Sequence, residues 1–516
     1  VTTLVRVVKD TYLDSVVQLS GTRAMRAVEG VDWATAAMAT PANLGTLADE
    51  GFSGDDLAGA GPGDLVLAVR AASDDAAEAA QEAGRDAMFS ARADETGPAA
   101  AESPARTLSD ALARLPGGNV AVISVPGEHA ALETHKALSA GLHVLLFSDN
   151  VPIATEVELK TRAEALGLLV MGPGAGTAML GRTCLGFANV VAPLAERTGA
   201  VAVVAAAGTG AQEAAVLLDR AGVGVTHVVG LGGRDLGADV GGTMGRAAVR
   251  ALAADPATEA ILLVSKPPDA RVAASVTAQA GDTPLVAALI GLDEPGQEGS
   301  DSATTLETGV LATLDRLGRP RPDVTAGLRA QVEDAISEVG ADRTLVRGLF
   351  SGGTLCYESL VVLGRVLGPV YSNTPVDKTL RLPAPDSAHV CLDLGEEEYT
   401  RGRPHPMIDP EARLEHLREQ GRDPEVAVIV LDVVLGYGAH PDPAGELAPV
   451  CAEILAAGGP RVVVYVLGTE QDPQGFERQR RAFRDAGCVV TETAARASLA
   501  AAAIARREPA LAEAVL

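Results

Sequence analysis

Two stretches of this sequence, "AAGTGAQE" from Ala206 to Glu213 and "SGGTLCYE" from Ser351 to Glu358, share the pattern Gly-Thr-x-x-x-Glu. Each follows an apolar run and precedes a stretch of helical composition. Glycines let backbone N–H groups approach a ligand, and a helix start carries partial positive charge, so such a turn favours a phosphate or carboxylate. Gly208, Thr209 and Gly210 in one copy, and Gly352, Gly353 and Thr354 in the other, are therefore candidate anion contacts. A tight turn with an N-cap explains either copy alone equally well. Repetition at equivalent places favours one anion held between two helix starts.

Other polar groups stand at the ends of apolar runs. Lys266 ends "AILLVSKPP" and is braced by Pro267 and Pro268, which places a cation within reach of a phosphate, carboxylate or carbamoyl oxygen. "RGRPHPMIDP" is the densest polar cluster, with Arg401, Arg403, His405 and Asp409 in a loop stiffened by prolines. Arginines suit bidentate anion binding and a histidine suits proton transfer near neutrality. Lys266, Arg403 and His405 are the candidate catalytic residues. Arg234 and Asp235 in "GGRDL" are either substrate contacts or a structural Arg–Asp pair; Asp432, ending "VAVIVLD", either orients a cationic or amide group or caps the following turn. Cys356 lies in the first turn of the second helix, where a thiolate would be stabilised, although small core cysteines are commoner at such places. His129, His135 and His143 lack mutual ligand spacing, so no metal site is expected.

The elements that must position these groups alternate short Val/Ile/Leu runs with Ala-rich helical stretches, the pattern of parallel βαβ units. "TTLVRVV", "ATAAMAT" and "DLVLAVR" are the first strands, with a helix over 10–29, and "ADETGPAAAESP" is a flexible connection. The expected organisation is multi-domain α/β: an N-terminal α/β region with its linker over 1–105, a Rossmann-like domain over 106–197, and two pseudo-symmetric flavodoxin-like domains over 198–330 and 331–516. At 516 residues the chain has room for such an array, and 47% hydrophobic residues supply its cores. The net charge of −26 disfavours nucleic acid as a partner. The apolar runs are too short to cross a bilayer, the N-terminus lacks a signal pattern, and five scattered cysteines fit reduced thiols, so a cytoplasmic location without membrane partners is expected.

The order of a Rossmann-like unit with "ISVPGEHAALETHKALSAGLHVLLFSDNVP" and "MGPGAGT", followed by two flavodoxin-like units, is similar to succinyl-CoA synthetase and the nucleoside-diphosphate-forming acyl-CoA synthetases. More closely, "SDNV", "AAGTG", "GLGGRDL", "SKPP", "FSGGTL", "GRPHPMIDP", "LDVVLG" and "GTEQDP" resemble the FdrA family along nearly the whole chain. The resemblance implies a subunit of a hetero-oligomeric oxamate carbamoyltransferase of ureide breakdown, which exchanges a carbamoyl group between oxalurate and phosphate. It implies small anionic substrates, phosphate or carbamoyl phosphate among them, and no certain cofactor. In the synthetases a phosphohistidine loop reaches the two helix starts. The corresponding stretch, "LDEPGQEGSDSATTLETG", has no histidine, and Ser265-Lys266-Pro267-Pro268 stands where the synthetases place the glutamate that holds it. The Gly-rich CoA phosphate loop is replaced by "MATPAN", and Gly174-Ala175 stands where FdrA relatives carry Asp-Cys. These departures argue against CoA binding and against nucleotide-driven ligation by this chain alone. An acyl-CoA synthetase subunit completed by a partner is the runner-up, and a non-catalytic scaffold the third reading.

Overall fold

Val- and Leu-rich runs at either end of short helices build the first of two units in the computed structural model, which describes residues 2–13, 15–52, 57, 59–89, 105–292, 301–400 and 403–516. Strands β1 (Thr2–Val8), β2 (Val31–Met38) and β3 (Leu65–Ala71) form a sheet of order β1-β3-β2. Both pairings are antiparallel, which corrects the expectation of parallel units in this region. The helices Ser15–Arg26 and Asp74–Phe89 cover one face, where Met25, Leu65, Leu67 and Met88 share a core. Residues 397–400, 403 and 404 group with this unit.

The second unit holds the rest of the described chain. Strands β4 (Val120–Ile123), β5 (His143–Leu146) and β6 (Val170–Met171) pair in parallel in the order β4-β5-β6, as a Rossmann-like unit requires. The hairpin of β7 (Thr177–Leu180) and β8 (Thr183–Gly186) leaves this sheet and joins the next one. There β7 lies antiparallel to β10 (Gly224–Gly230) through Met179 and Val228. The expected boundary at 198 thus falls between the hairpin and the strand it pairs with.

The two flavodoxin-like sheets follow one plan. In the first, β9 (Ala200–Ala206) is flanked by β10 and β11 (Ala260–Ser265), then β12 (Leu285–Leu289) and β13 (Asp301–Ala303). In the second, β14 (Leu345–Phe350) is flanked by β16 (His389–Asp393) and β17 (Val426–Val434), then β18 (Arg461–Leu467) and β19 (Val489–Thr491), with β15 (Val370–Ser372) added outside β16. Each therefore has the parallel order 2-1-3-4-5 and sends its first strand into a helix, Gly208–Arg220 or Gly353–Leu367. The central strands β11, β17 and β18, buried almost throughout, are Val/Leu/Ile-rich runs.

The two helices are buried on nearly every side, because each is covered by its own sheet and by the opposite domain, and one hydrophobic core runs through both. The glutamate of each repeated motif fastens this arrangement. Glu358 Oε1 accepts the N–H of Leu306 at 2.6 Å, the first residue of the helix Leu306–Arg316 in the first domain. Glu213 Oε1 accepts the N–H of Ala494 at 3.2 Å, the first residue of the helix Ala494–Arg506 in the second. Each motif glutamate thus closes a helix start in the opposite domain. Beside them, Arg496 pairs with Glu307 through Nη2 at 2.6 Å, both buried. No described helix is long and apolar enough to cross a membrane.

Candidate functional site

The repeated turns meet each other. The Thr354 N–H donates to Thr209 Oγ1 at 3.3 Å, and both threonines are buried. Glycine is required at this contact for a reason different from ligand approach. A Cβ on Gly210 would stand 2.9 Å from Thr354 Cγ2, and one on Gly352 would stand 2.8 Å from Thr209 Cγ2. Gly210 and Gly352 therefore let the two domains close on one another. Gly208 and Gly353 are different: Gly208 is exposed with nothing near its Cβ position, and Gly353 is half-exposed. The N-cap positions are Ala207 and Gly352, and neither gives its helix a side-chain cap. Free first-turn N–H groups at the open side are the donors such helices offer an anion.

Lys266 follows β11 at this opening. Its Nζ lies 5.8 Å from the centre of the Tyr357 ring and 3.5 Å from where a Cβ of Gly353 would be. Among the described residues it forms no ion pair or hydrogen bond. The half-buried ammonium over an aromatic face thus stands beside two helix starts whose N-cap residues offer no side chain, two features that favour an anion.

Asp393, at the end of β16, was not singled out in the sequence. It is 2% exposed, and its Oδ1 accepts the Gly395 N–H at 3.1 Å. Burial raises its carboxyl to about 6, against the lowering effect of Lys266. It therefore remains mainly ionised at pH 7. His405 accepts the Met407 N–H through Nδ1 at 3.2 Å, which leaves the proton of the neutral ring on Nε2. Its Nε2 and Asp393 Oδ1 both border Gly395, at 2.7 and 3.2 Å from a Cβ placed there. Burial pushes His405 down to about 4, so the imidazole is neutral near pH 7. It can donate a hydrogen bond, which differs from the expected proton transfer near neutrality.

The remaining candidates fall elsewhere. Asp432 holds the second turn from beneath, accepting the N–H groups of Ser351 and Gly352, each at 2.7 Å, and its charge faces buried Arg413 at 3.2 Å. The turn it holds is the one after β14, whereas the capping alternative placed Asp432 on the turn that follows its own strand. Arg234 pairs with Glu156 at 2.9 Å and donates to the Val151 carbonyl, while Asp235 is buried against Lys160 at 2.8 Å and the Gly245 N–H. That network ties the Rossmann-like helix Ile153–Ala165 to the loop after β10, with Arg234 and Asp235 each paired to that helix and not to each other. Arg403 belongs to the first unit, and Arg401 lies outside the described residues. Residues 293–300 of the histidine-free stretch also lie outside them. Cys356 is fully buried, and burial drives its thiol well above the usual range, which does not suit a nucleophile.

A family model described as "CoA-ligase" matches residues 349–504, and one described as "AllF, heavy metal-associated domain" matches residues 1–104. Residues 1–104 contain neither cysteine nor histidine, so the thiolate and imidazole ligands of soft-metal sites are missing there. The uncharacterized protein YahF of Escherichia coli is 37% identical over 506 residues, covering 95% of this chain and 96% of YahF. The ADP-forming sulfoacetate-CoA ligase subunit SauD of Bilophila wadsworthia is 27% identical over 228 residues, 43% of this chain and 75% of that subunit. Among solved structures, the apo form of the dinucleotide forming acetyl-coenzyme A synthetase 1 of Ca. Korarchaeum cryptofilum matches 77% of this chain and 86% of its own, at 16% identity and a TM-score of 0.28. Matched to YahF along nearly its whole length, and to CoA ligases through its flavodoxin-like region, the chain belongs to the YahF family within the superfamily of succinyl-CoA synthetase-like, nucleoside-diphosphate-forming CoA ligases.

Proposed function

We propose that this chain is a group-transfer subunit whose cleft between the two Gly-Thr turns holds phosphate, and that it moves a carbamoyl group from oxalurate to phosphate. The products are oxamate and carbamoyl phosphate. The reading is carried by Lys266, a cation with no ion-pair partner among the described residues, set beside two helix starts whose N-cap residues, Ala207 and Gly352, offer no side-chain cap. In this reaction a phosphate oxygen attacks the carbamoyl carbon, the carbon–nitrogen bond breaks, and the departing nitrogen takes up the proton that phosphate gives up. Lys266 and the N–H groups of Gly208 and Gly353 offset charge on phosphate and on the tetrahedral oxyanion. The neutral His405 offers a hydrogen bond without adding charge. The specific substrates and the further subunits rest on the resemblance to the FdrA family, and the cytoplasmic location on the short apolar runs, the missing signal pattern and the scattered cysteines of the sequence.

A second reading is an acyl-CoA ligase subunit that takes its phosphohistidine and nucleotide site from a partner. The likeness to a sulfoacetate-CoA ligase subunit favours it, and the superfamily as a whole supports it more directly than carbamoyl transfer. Against it stand the missing histidine and the lysine in place of the expected glutamate. The purified chain, with and without the proteins encoded beside it, separates the two. Phosphate-dependent formation of oxamate supports transfer; CoA-dependent nucleotide hydrolysis, or acid-labile phosphate on this chain after incubation with labelled ATP, supports ligation.

A further inference from the structure

The two copies of the flavodoxin-like domain place equivalent backbone positions around the cleft, and at some of them the side chains differ in charge. Leu231 donates its N–H to the Ala205 carbonyl at 2.7 Å, and Leu394 donates to Phe350 at 2.9 Å. Ala205 and Phe350 each stand three residues before the glycine that opens the central helix, so Gly230 and Asp393 are equivalents. Likewise Leu263 pairs with Val204 and Leu431 with Leu349, which makes Val434 the equivalent of Lys266. One copy therefore supplies an ammonium where its twin has an apolar side chain. The other supplies a carboxyl where its twin has none. A pseudo-symmetric cleft has become chemically asymmetric: besides Asp432, which stands where the first copy has Val264 and is engaged by the second turn, Lys266 and Asp393 are unmatched groups of opposite charge.

These two groups share a neighbour without closing on each other. Asp393 Oδ2 and Lys266 Nζ lie 2.5 and 3.5 Å from where a Cβ of Gly353 would stand. They form no ion pair, and among the described residues Oδ2 accepts no hydrogen bond. A side chain at Gly353 would fill the space between them. An almost wholly buried carboxyl with one unpaired oxygen, facing an unpaired ammonium across a gap kept clear by glycine, fits a ligand group that presents an acceptor and a donor side by side.

We propose that the gap between Lys266 and Asp393 receives a carbamoyl group, with the carbonyl oxygen on Lys266 Nζ and an amide N–H on Asp393 Oδ2. The cleft thereby selects amide-ended groups over methyl- or carboxylate-ended ones. An acetyl group of the same shape would satisfy Lys266 but leave the Asp393 oxygen facing a methyl, and a carboxylate would face it with like charge. The inference rests on the cleft being a phosphate-dependent transfer site, and it gives Asp393 the task of recognising nitrogen there.

Two stable mimics test it by calorimetry on the full chain: phosphonoacetamide, which ends in an amino group, and acetonylphosphonate, which ends in a methyl. Inorganic phosphate is the third probe. The wild-type chain is expected to bind phosphonoacetamide about tenfold or more tightly than acetonylphosphonate. Asp393→Ala should bring the two within about twofold while retaining inorganic phosphate, and Asp393→Asn, nearly isosteric, should keep the melting temperature and restore part of the preference. Equal binding of the two mimics by the wild type, with phosphate still bound, overturns the selectivity and leaves the anion cleft standing. A preference that persists in Asp393→Ala does the same. Failure of the wild type to bind phosphate, or phosphate binding unchanged in Lys266→Ala, overturns the transfer-site reading itself.

Discussion

Four helix starts meet around the pseudo-twofold of the flavodoxin-like pair, and they are finished in two different ways. The starts at Leu306 and Ala494 are closed: Thr305 and Thr493 cap them with their side chains, and Glu358 and Glu213 arrive from the opposite domain to accept their first N–H groups. The starts at Gly208 and Gly353 carry alanine and glycine at the N-cap, which offer no side-chain cap; at the second, Thr209 takes the Thr354 N–H, while the N–H groups of Gly208 and Gly353 have no acceptor among the described residues. One repeated motif produces both outcomes. Its Gly-Thr opens the helix it begins, and its glutamate, on the same helix, closes a helix of the other domain. A protein that caps one pair with its own groups and leaves the other open distinguishes the helix dipoles used for structure from those left for a foreign anion.

Breaking the closed side should give the largest effect. Glu307 sits in the first turn of the helix Leu306–Arg316 and accepts from Thr493 Oγ1 at 2.6 Å as well as from Arg496. Glu307→Ala leaves a buried guanidinium without its carboxylate, which costs about 3–5 kcal/mol. The denaturant midpoint should fall accordingly. A loss below about 1 kcal/mol would mean that the closed pair does not hold the domains together.

On the open side, Lys266→Ala should leave the melting temperature nearly unchanged and weaken inorganic phosphate by about 1.5–3 kcal/mol, roughly 10- to 100-fold. Titration calorimetry at two salt concentrations reads both the loss and its electrostatic origin. A variant that unfolds readily but binds phosphate normally would place Lys266 with the structural charges instead.

The motif glutamates give the closed side a pH dependence. Burial raises Glu213 well above the carboxylate range and Glu358 to about 8, and the second oxygen of each has no hydrogen-bond partner among the described residues. Glu358 is therefore mainly protonated at pH 7. Between the ordinary value of 4.5 and about 8, folded Glu358 keeps a proton that the unfolded chain has released. Its stabilising contribution is complete below 4.5, declines as pH rises, and is lost once pH passes through about 8. Glu358→Gln keeps an acceptor for the Leu306 N–H and removes the titration. Chemical denaturation at pH 5 and pH 8.5 should show a smaller difference in this variant than in the wild type, and a smaller one still in Glu213→Gln/Glu358→Gln. An unchanged difference would show that both carboxyls are ionised in the folded protein.

The sequence made the repeated motif and the two flavodoxin-like units legible because each strand, turn and helix lies within about a dozen residues. Its interpretation of the motif was incomplete for the same reason. The partners of Glu213 and Glu358 lie at Ala494 and Leu306, so their closure of distant helix starts depends on domain packing. Strand direction in the N-terminal region was misjudged because alternating burial fixes a strand's face and leaves its pairing direction open. Asp393 could have been found by aligning "VVGLGG" with "CLDLGE", where glycine in one copy faces aspartate in the other. Arg234 and Asp235 looked like possible ligand contacts because nothing local reveals that Lys160 and Glu156 will meet them.

The smallest change is also the most direct test of the contrast, since it converts an open start into a closed one. Ala207 is the N-cap of the helix Gly208–Arg220 and has the extended backbone, φ −163° and ψ 120°, from which a serine hydroxyl reaches the N–H groups of the first turn. Ala207→Ser adds one oxygen at a buried position beside that opening. A new cap should stabilise the protein by about 0.5–2 kcal/mol, seen as a higher denaturant midpoint. The same oxygen would compete with an anion for those donors, so phosphate should bind about two- to tenfold more weakly, in line with one neutral hydrogen bond. Opposite signs in the two measurements follow only if those donors serve a ligand. Stabilisation with undiminished phosphate affinity would move the anion to the Gly353 side of the cleft and leave the start at Gly208 as an uncapped helix without a ligand.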